Sequence, residues 1–401
     1  MRSDDDNKPR RSLFKRALAL CRLVFGALCF SVALLAVFRA PTTSLWMLSI
    51  GVTEWGHVLA LFSLVALLPG WRRSRAGRVG ATLGLLAALL ALSPLARAAL
   101  IARHLPSDLE RAFGSAPPRA THDVAPRSAP LSATGLVRGI ASPAVKRDTL
   151  VYTTRGEQSL SLDLYQPNAP HAPAPCVVVI HGGSWQSGDS EQLAPLNDYL
   201  AARGYAVAAL NYRLGASHPF PAARDDVQAA VSFLKTNAAR LGIDAGRFVL
   251  LGRSAGGQLA LLVGYTAGDP AIRGVVSYYA PADMRYGFAH PANPLVYDSR
   301  GVLASHLGGT PDDAPAQYDA ASPINFVGAD TPPTLLIHGG RDELVSPAQS
   351  ERLAARLAGA SRPHLLLRLP WATHACDFNF GGPCGQISTY AVERFLASVT
   401  R

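Results

Sequence analysis

Three apolar stretches, 17–38, 45–68 and 79–100, follow one another in the first quarter of the chain. In hydrocarbon every backbone N–H and C=O must be satisfied internally, so runs of this kind must be helices, each long enough to cross about 30 Å of bilayer core. Their flanks are segregated. Arg2, Lys8, Arg10, Arg11, Lys15 and Arg16 precede the first stretch and Arg72, Arg73, Arg75 and Arg78 separate the second from the third, whereas only Arg39 lies between the first and second. By the positive-inside rule the N-terminus and the second loop are cytoplasmic. Three crossings then carry everything after about residue 105 to the other side. No small-x-small site closely follows the first apolar core, so that stretch is read as a retained helix rather than a cleaved signal. The expectation is an integral protein of a bacterial cell membrane with its C-terminal domain outside the cytoplasm.

The formal net charge of +10 raises the question of a nucleic-acid partner. Residues 1–105 hold 14 Lys and Arg against 4 Asp and Glu, and residues 106–401 hold 24 of each. The excess therefore lies beside the apolar stretches, and the neutral remainder excludes the basic face that phosphate binding requires. Glu54 and His57 stand three residues apart inside the second stretch, on one helical face. They are read either as a mutually satisfied pair near a wet helix end or as an intramembrane site.

Residues 106–148 are rich in Pro, Ala and Ser without helical or strand period, which predicts an extended linker. From 149 the pattern changes to alternating strands and helices. "TLVYTTRG" and "SLSLDLY" read as a hairpin, and apolar runs at 176–180, 205–210, 247–251, 274–279, 334–337 and 364–369 read as strands separated by helical segments. Continuous Val, Leu and Ile runs suit a parallel sheet covered on both faces. The fold class is α/β, a mostly parallel doubly wound sheet over 149–401 preceded by three membrane helices.

Open sheets of this kind place their ligands at strand ends. "RFVLLGRSAGGQLALLVGY" runs an apolar strand into Gly252-Arg253-Ser254-Ala255-Gly256 and an apolar helix out of it. The flanking glycines are needed because side chains there would collide with the neighbouring strand and helix, and the turn lifts Ser254 clear of the sheet at a helix N-terminus. A nucleophilic serine needs a base and an orienting group. "PTLLIHGGRDELVS" ends one predicted strand at Asp342 and "HLLLRLPWATHACDF" ends the next at His374, so that Ser254, Asp342 and His374 each fall just beyond a strand.

"VVVIHGGSWQSG" ends another strand on His181-Gly182-Gly183. Backbone N–H groups converge on an oxyanion only where side chains are absent or turned away, so the donors are assigned to Gly183, Ser184 and Ala255. His181 and Trp185 are read as braces of this loop.

Residues 149–401 resemble an α/β-hydrolase of the esterase/lipase branch related to hormone-sensitive lipase and bacterial feruloyl esterases. The resemblance rests on His181-Gly182-Gly183-Ser184-Trp185, Asn211-Tyr212-Arg213, Phe220-Pro221-Ala222-Ala223 with Asp225, Gly252 to Gly257, Gly339-Gly340-Arg341-Asp342, and His374. It implies a serine hydrolase of carboxylic esters working without metal or cofactor. Two positions depart from the pattern: Ser184 stands where lipase-like relatives often carry a third glycine, the resulting His-Gly-Gly-x-Trp resembling kynurenine formamidases and prenylcysteine methylesterases, and Arg253 stands where an acidic residue is common. "GRSAGG" and "HGGRDELVS" also resemble prolyl-oligopeptidase-type sequences, so an amidase, formamidase or peptidase remains the second reading. A non-catalytic membrane binding protein is the third.

The insertion 281–326 is expected to cap the site, with His290 and His306 on its surface. Of the five cysteines, Cys21 and Cys29 fall in the first membrane helix and Cys176 in a buried strand. Cys376 and Cys384 bracket a short loop just after His374, either as a disulfide or as two free thiols.

Overall fold

A computed structural model describes residues 8–115, 126–168 and 173–401. The hairpin strands β1 (Lys146–Arg155) and β2 (Gln158–Gln166) open an eight-stranded sheet that continues through β3 (Ala174–Ile180), β4 (Ala206–Leu210), β5 (Ile243–Arg253), β6 (Ile272–Tyr278), β7 (Thr334–Gly339) and β8 (His364–Leu369). The spatial order is β1-β2-β4-β3-β5-β6-β7-β8. The pairs β1/β2 and β2/β4 are antiparallel and all the others parallel. Every expected strand is present, with β1 and β5 beginning earlier than their apolar runs. Every residue of β3, β4 and β7 is buried, as the unbroken apolar runs require of strands covered on both faces.

The N-terminal segment departs from three straight spans. Helix α1 (Lys8–Ala33) and helix α4 (Arg75–Phe113) are each long and apolar enough to cross a membrane. Between them, the second apolar stretch breaks at Trp55 into α2 (Thr43–Glu54) and α3 (Gly56–Ser63), bent by 85° when the short 3-10 turn after α3 is counted with it. Gly26 and Gly80 bring α1 and α4 together so closely that a Cβ on Gly26 would stand 2.2 Å from the Gly80 carbonyl oxygen. Small residues at such a crossing let helices pack by dispersion where lipid supplies no hydrophobic drive.

Helix α4 also corrects the linker expectation. Its 39 residues extend about 58 Å, roughly twice the hydrocarbon thickness. The surplus is used in the sheet domain: Ala98, Leu105 and Leu109 are buried in the same apolar cluster as Val249, Leu335, Trp371 and Phe395. Residues 106–113 are therefore helical, and Ala133–Arg138 forms a further short helix whose Gly135 lies against Gln386. Part of the expected linker, 116–125, lies outside the described residues.

The 281–326 insertion folds as three short helices, Met284–Ala289, Ser299–Leu307 and Pro315–Ala320, over the ends of β3 and β5. Here a second expectation fails. His290 is exposed, but His306 is buried, its ring stacked on Trp185 with 4.1 Å between centroids and 4° between planes. Its place is fixed by Trp185 of the His-Gly-Gly loop, which the local sequence of the insertion does not show. Burial pushes the His306 imidazole down to about 3, so the folded state holds it neutral. Because the unfolded chain binds that proton near pH 6.5, the stability carried by neutral His306 is complete above that value and is lost as pH falls toward 3. The loss expected between pH 7 and pH 5 is about 2 kcal/mol. Thermal unfolding of the purified protein at the two pH values, set against His306→Phe, checks this: the substitution should remove a loss of that size, and an unchanged acid loss refutes it.

Candidate active site

Strand β5 delivers Ser254 into a backbone conformation that side chains rarely adopt, φ 52° and ψ −119°, and helix Ala255–Thr266 begins at the next residue. The glycines around it answer to close contacts. A Cβ on Gly252 would lie 2.0 Å from the Gly256 oxygen, and one on Gly256 would lie 2.2 Å from the Ile180 oxygen and 2.3 Å from the His181 oxygen. The turn therefore fits against the end of β3 only with hydrogen at these positions. Ser254 N–H donates to the Tyr278 carbonyl at 2.9 Å, fixing the turn to β6 as well.

Ser254, Asp342 and His374 are brought together. Ser254 Oγ is 3.0 Å from His374 Nε2, and His374 Nδ1 is 2.7 Å from Asp342 Oδ2. The backbone N–H groups of Leu344 and Val345 donate to Asp342 Oδ1 at 2.9 and 2.8 Å. A second imidazole stands on the same carboxylate, His338 Nε2 at 3.3 Å from Oδ2. Burial by itself would raise the Asp342 carboxyl, but His374 and His338 outweigh it and hold the group well below the usual carboxylate range. Asp342 is thus an ionised orienter for His374.

Gly183 and Ser184 sit in a loop of positive φ values, 120° and 59°, and both line a cavity that Ser254 also lines. Among the described residues neither N–H donates to a backbone or side-chain acceptor. Ala255 is the first residue of its helix, where N–H groups lack an intrahelical partner. His181 and Trp185 pack as braces: His181 stacks on Tyr212 at 4.2 Å, and Trp185 Nε1 donates to Gln258 at 3.1 Å.

Arg253 was singled out from the sequence, but its neighbours Asp377 and Tyr279, and Tyr297 of the insertion, were not. Arg253 is buried and donates from Nε to Asp377 Oδ2 at 2.6 Å, while Tyr279 Oη donates to Asp377 Oδ1 at 2.5 Å. Burial alone would lower the Arg253 guanidinium, and the Asp377 carboxylate reverses this and raises it. The ring of Tyr279 in turn lies 4.4 Å from that of His374. A basic residue where an acidic one is common was the available signal that a carboxylate must answer it, but nothing local pointed to residue 377. Asp377 sits inside the loop closed by Cys376 and Cys384, which are joined as a disulfide with Cα atoms 5.7 Å apart. From the insertion, Tyr297 Oη meets Ser184 Oγ at 2.6 Å.

The BD-FAE family matches residues 162–357. Esterase LipC of Mycobacterium tuberculosis is 30% identical over 260 residues, covering 60% of this chain and 62% of LipC. The probable carboxylic ester hydrolase LipM of the same organism is 31% identical over 239 residues, covering 56% of this chain and 54% of LipM. The chain thus spans little more than half the length of these relatives. A structure titled bacterial heroin esterase superposes with a TM-score of 0.58 at 22% identity, covering 65% of this chain and 86% of that one. The chain has the α/β-hydrolase fold. This sheet, with the turn at Ser254 after β5, accounts for the positions of all three strand-end residues.

The Arg253–Asp377 pair of this α/β-hydrolase is closed off from water, so removing one charge strands the other. Asp377→Asn should cost about 3–5 kcal/mol. Chemical or thermal unfolding measures it, and a loss below about 1 kcal/mol, the range of exposed pairs, contradicts a buried ion pair.

Proposed function

We propose that this protein is a membrane-anchored serine hydrolase that cleaves carboxylic esters through an acyl-enzyme on Ser254. The observation that carries the reading is the relay from Ser254 Oγ through His374 to Asp342, at 3.0 and 2.7 Å. Ser254 Oγ attacks the ester carbonyl carbon while His374 Nε2 takes its proton. Asp342 holds the imidazole with Nδ1 protonated and stabilises the imidazolium. The N–H groups of Gly183, Ser184 and Ala255 receive the charge that develops on the carbonyl oxygen. His374 then protonates the departing alcohol, and water repeats the attack on the acyl-enzyme to release the acid and restore Ser254. The names of LipC, an esterase, and LipM, a probable carboxylic ester hydrolase, support the ester over the amide.

Ser254→Ala should lower kcat on p-nitrophenyl acetate by about a millionfold and abolish fluorophosphonate labelling with the fold intact. Asp342→Asn should lower it by about ten-thousandfold through the wrong imidazole tautomer. Near wild-type turnover in the serine variant refutes the nucleophile, and a loss under about tenfold in the second refutes the acid. Aminoacyl anilides run beside the ester separate an esterase from an amidase.

The flanking charges and the Cys376–Cys384 bridge support placing the hydrolase domain outside the cytoplasm. An impermeant maleimide applied to spheroplasts should label this pair only after reduction. Protection of the domain from external protease in intact spheroplasts contradicts the topology.

A further inference from the structure

Ser254 stands where two cavities meet. One, of about 500 Å³, is lined by Trp46, Tyr279, His374 and Phe378, and the other, of about 50 Å³, lies under the insertion against Trp185, Pro281, Val302 and Leu303. His374 lines the wide cavity and not the narrow one, and this assigns the two halves of an ester. The bond that breaks in the first step joins the carbonyl carbon to the alcohol oxygen, and that oxygen takes the proton from His374 Nε2. It must lie within hydrogen-bond reach of Nε2. The alcohol therefore extends through the wide cavity, and the acyl group left on Ser254 Oγ occupies the narrow one.

The wide cavity has an unusual wall. Trp46 belongs to α2, the helix between the first membrane helix and the bend at Trp55. Helix α2 is fastened to the hydrolase domain at both ends. Thr43 Oγ1 donates to the Val296 carbonyl at 2.7 Å, and the Glu54 carboxylate accepts from Cys384 N–H at 3.0 Å. Ser49, Thr53 and Glu54 are buried, whereas Leu45, Met47, Leu48 and Trp55 are exposed. The helix thus buries Ser49, Val52, Thr53 and Glu54 on one side, with Glu54 on the hydrolase domain, and turns an apolar side outward. In the hydrolase domain, Leu295 and Phe378 are 70% and 64% exposed. Phe378 lies in the loop that α2 packs against, and the Leu295 carbonyl accepts from Thr43. An apolar rim continuous with the spanning helices is a surface shaped for lipid.

Resting on the serine-esterase reading above, we infer that the substrate is a short-chain acyl ester of a membrane-resident alcohol, which enters from the bilayer past α2 and Phe378. The alcohol stays with the lipid phase while the narrow pocket admits only a small acyl group.

Two isomeric probes test this. Hexadecyl acetate carries its long chain on the alcohol and ethyl hexadecanoate carries it on the acyl group. The full-length protein, reconstituted in phosphatidylcholine vesicles, should cleave hexadecyl acetate with a kcat/KM at least about tenfold higher, since an overfilled pocket rejects its ligand by that much or more. Equal rates or a preference for ethyl hexadecanoate overturn the assignment; the latter points to a large acyl group and a small alcohol. Soluble p-nitrophenyl acetate is assayed in the same vesicles. If it is hydrolysed and neither isomer is, the membrane substrate is refuted while the esterase reading survives. If it is not hydrolysed, the esterase reading fails and takes this inference with it. Trp46→Ala should lower the ratio of hexadecyl acetate to p-nitrophenyl acetate turnover severalfold, and an unchanged ratio removes α2 from the entry path.

Discussion

The turn at Ser254 is the constraint on which the rest of the site depends. A serine at φ 52° is held only because Gly252 and Gly256 let β5, its helix and the end of β3 approach to within a hydrogen's width. That same approach sets the His-Gly-Gly loop beside Ser254, because the carbonyls that would collide with a Gly256 side chain are those of Ile180 and His181. Strain at one residue is thus tolerated because three elements over-determine it, and the return is an oxygen and a set of N–H donors with fixed relative positions.

The N-terminal helices are more than a tether. The residues on either side of Asp342 both bond to the segment that follows helix α1. Arg341 donates to the carbonyls of Leu35 and Phe38, and Glu343 accepts from Ala40 N–H at 3.1 Å. Glu343 also accepts from Thr373, which precedes His374. The Asp342 loop is therefore anchored to this segment and the His374 loop is held to it through Glu343, and α4 runs from its apolar half into the hydrolase core. A domain joined this way has little freedom to rotate against the helices, which is what keeps Trp46 at the cavity mouth.

The disulfide loop plays the corresponding part on the other side. Asp377 inside it binds Arg253 beside Ser254 and Tyr279 against His374, so one carboxylate links Ser254 and His374 through their neighbours. Such buried charges are costly alone and rigid when fully paired.

What the sequence determined by itself was whatever local sterics and periodicity dictate. The strand, Gly-x-Ser-x-Gly and helix around Ser254 are legible because no other short pattern fits that turn, and Asp342 and His374 are legible because strand ends are marked by apolar runs. The placement of charge around the apolar stretches is legible for the same reason, being a property of neighbouring residues. Only the tertiary structure decided which carboxylate answers Arg253, since Asp377 lies 124 positions away, and that Glu54 is taken by Cys384, 330 positions away, rather than by His57. The break at Trp55, the run of α4 into the core and the burial of His306 against Trp185 belong with these. Each is set by what a residue meets after the chain has closed on itself, and composition and spacing carry no record of such meetings.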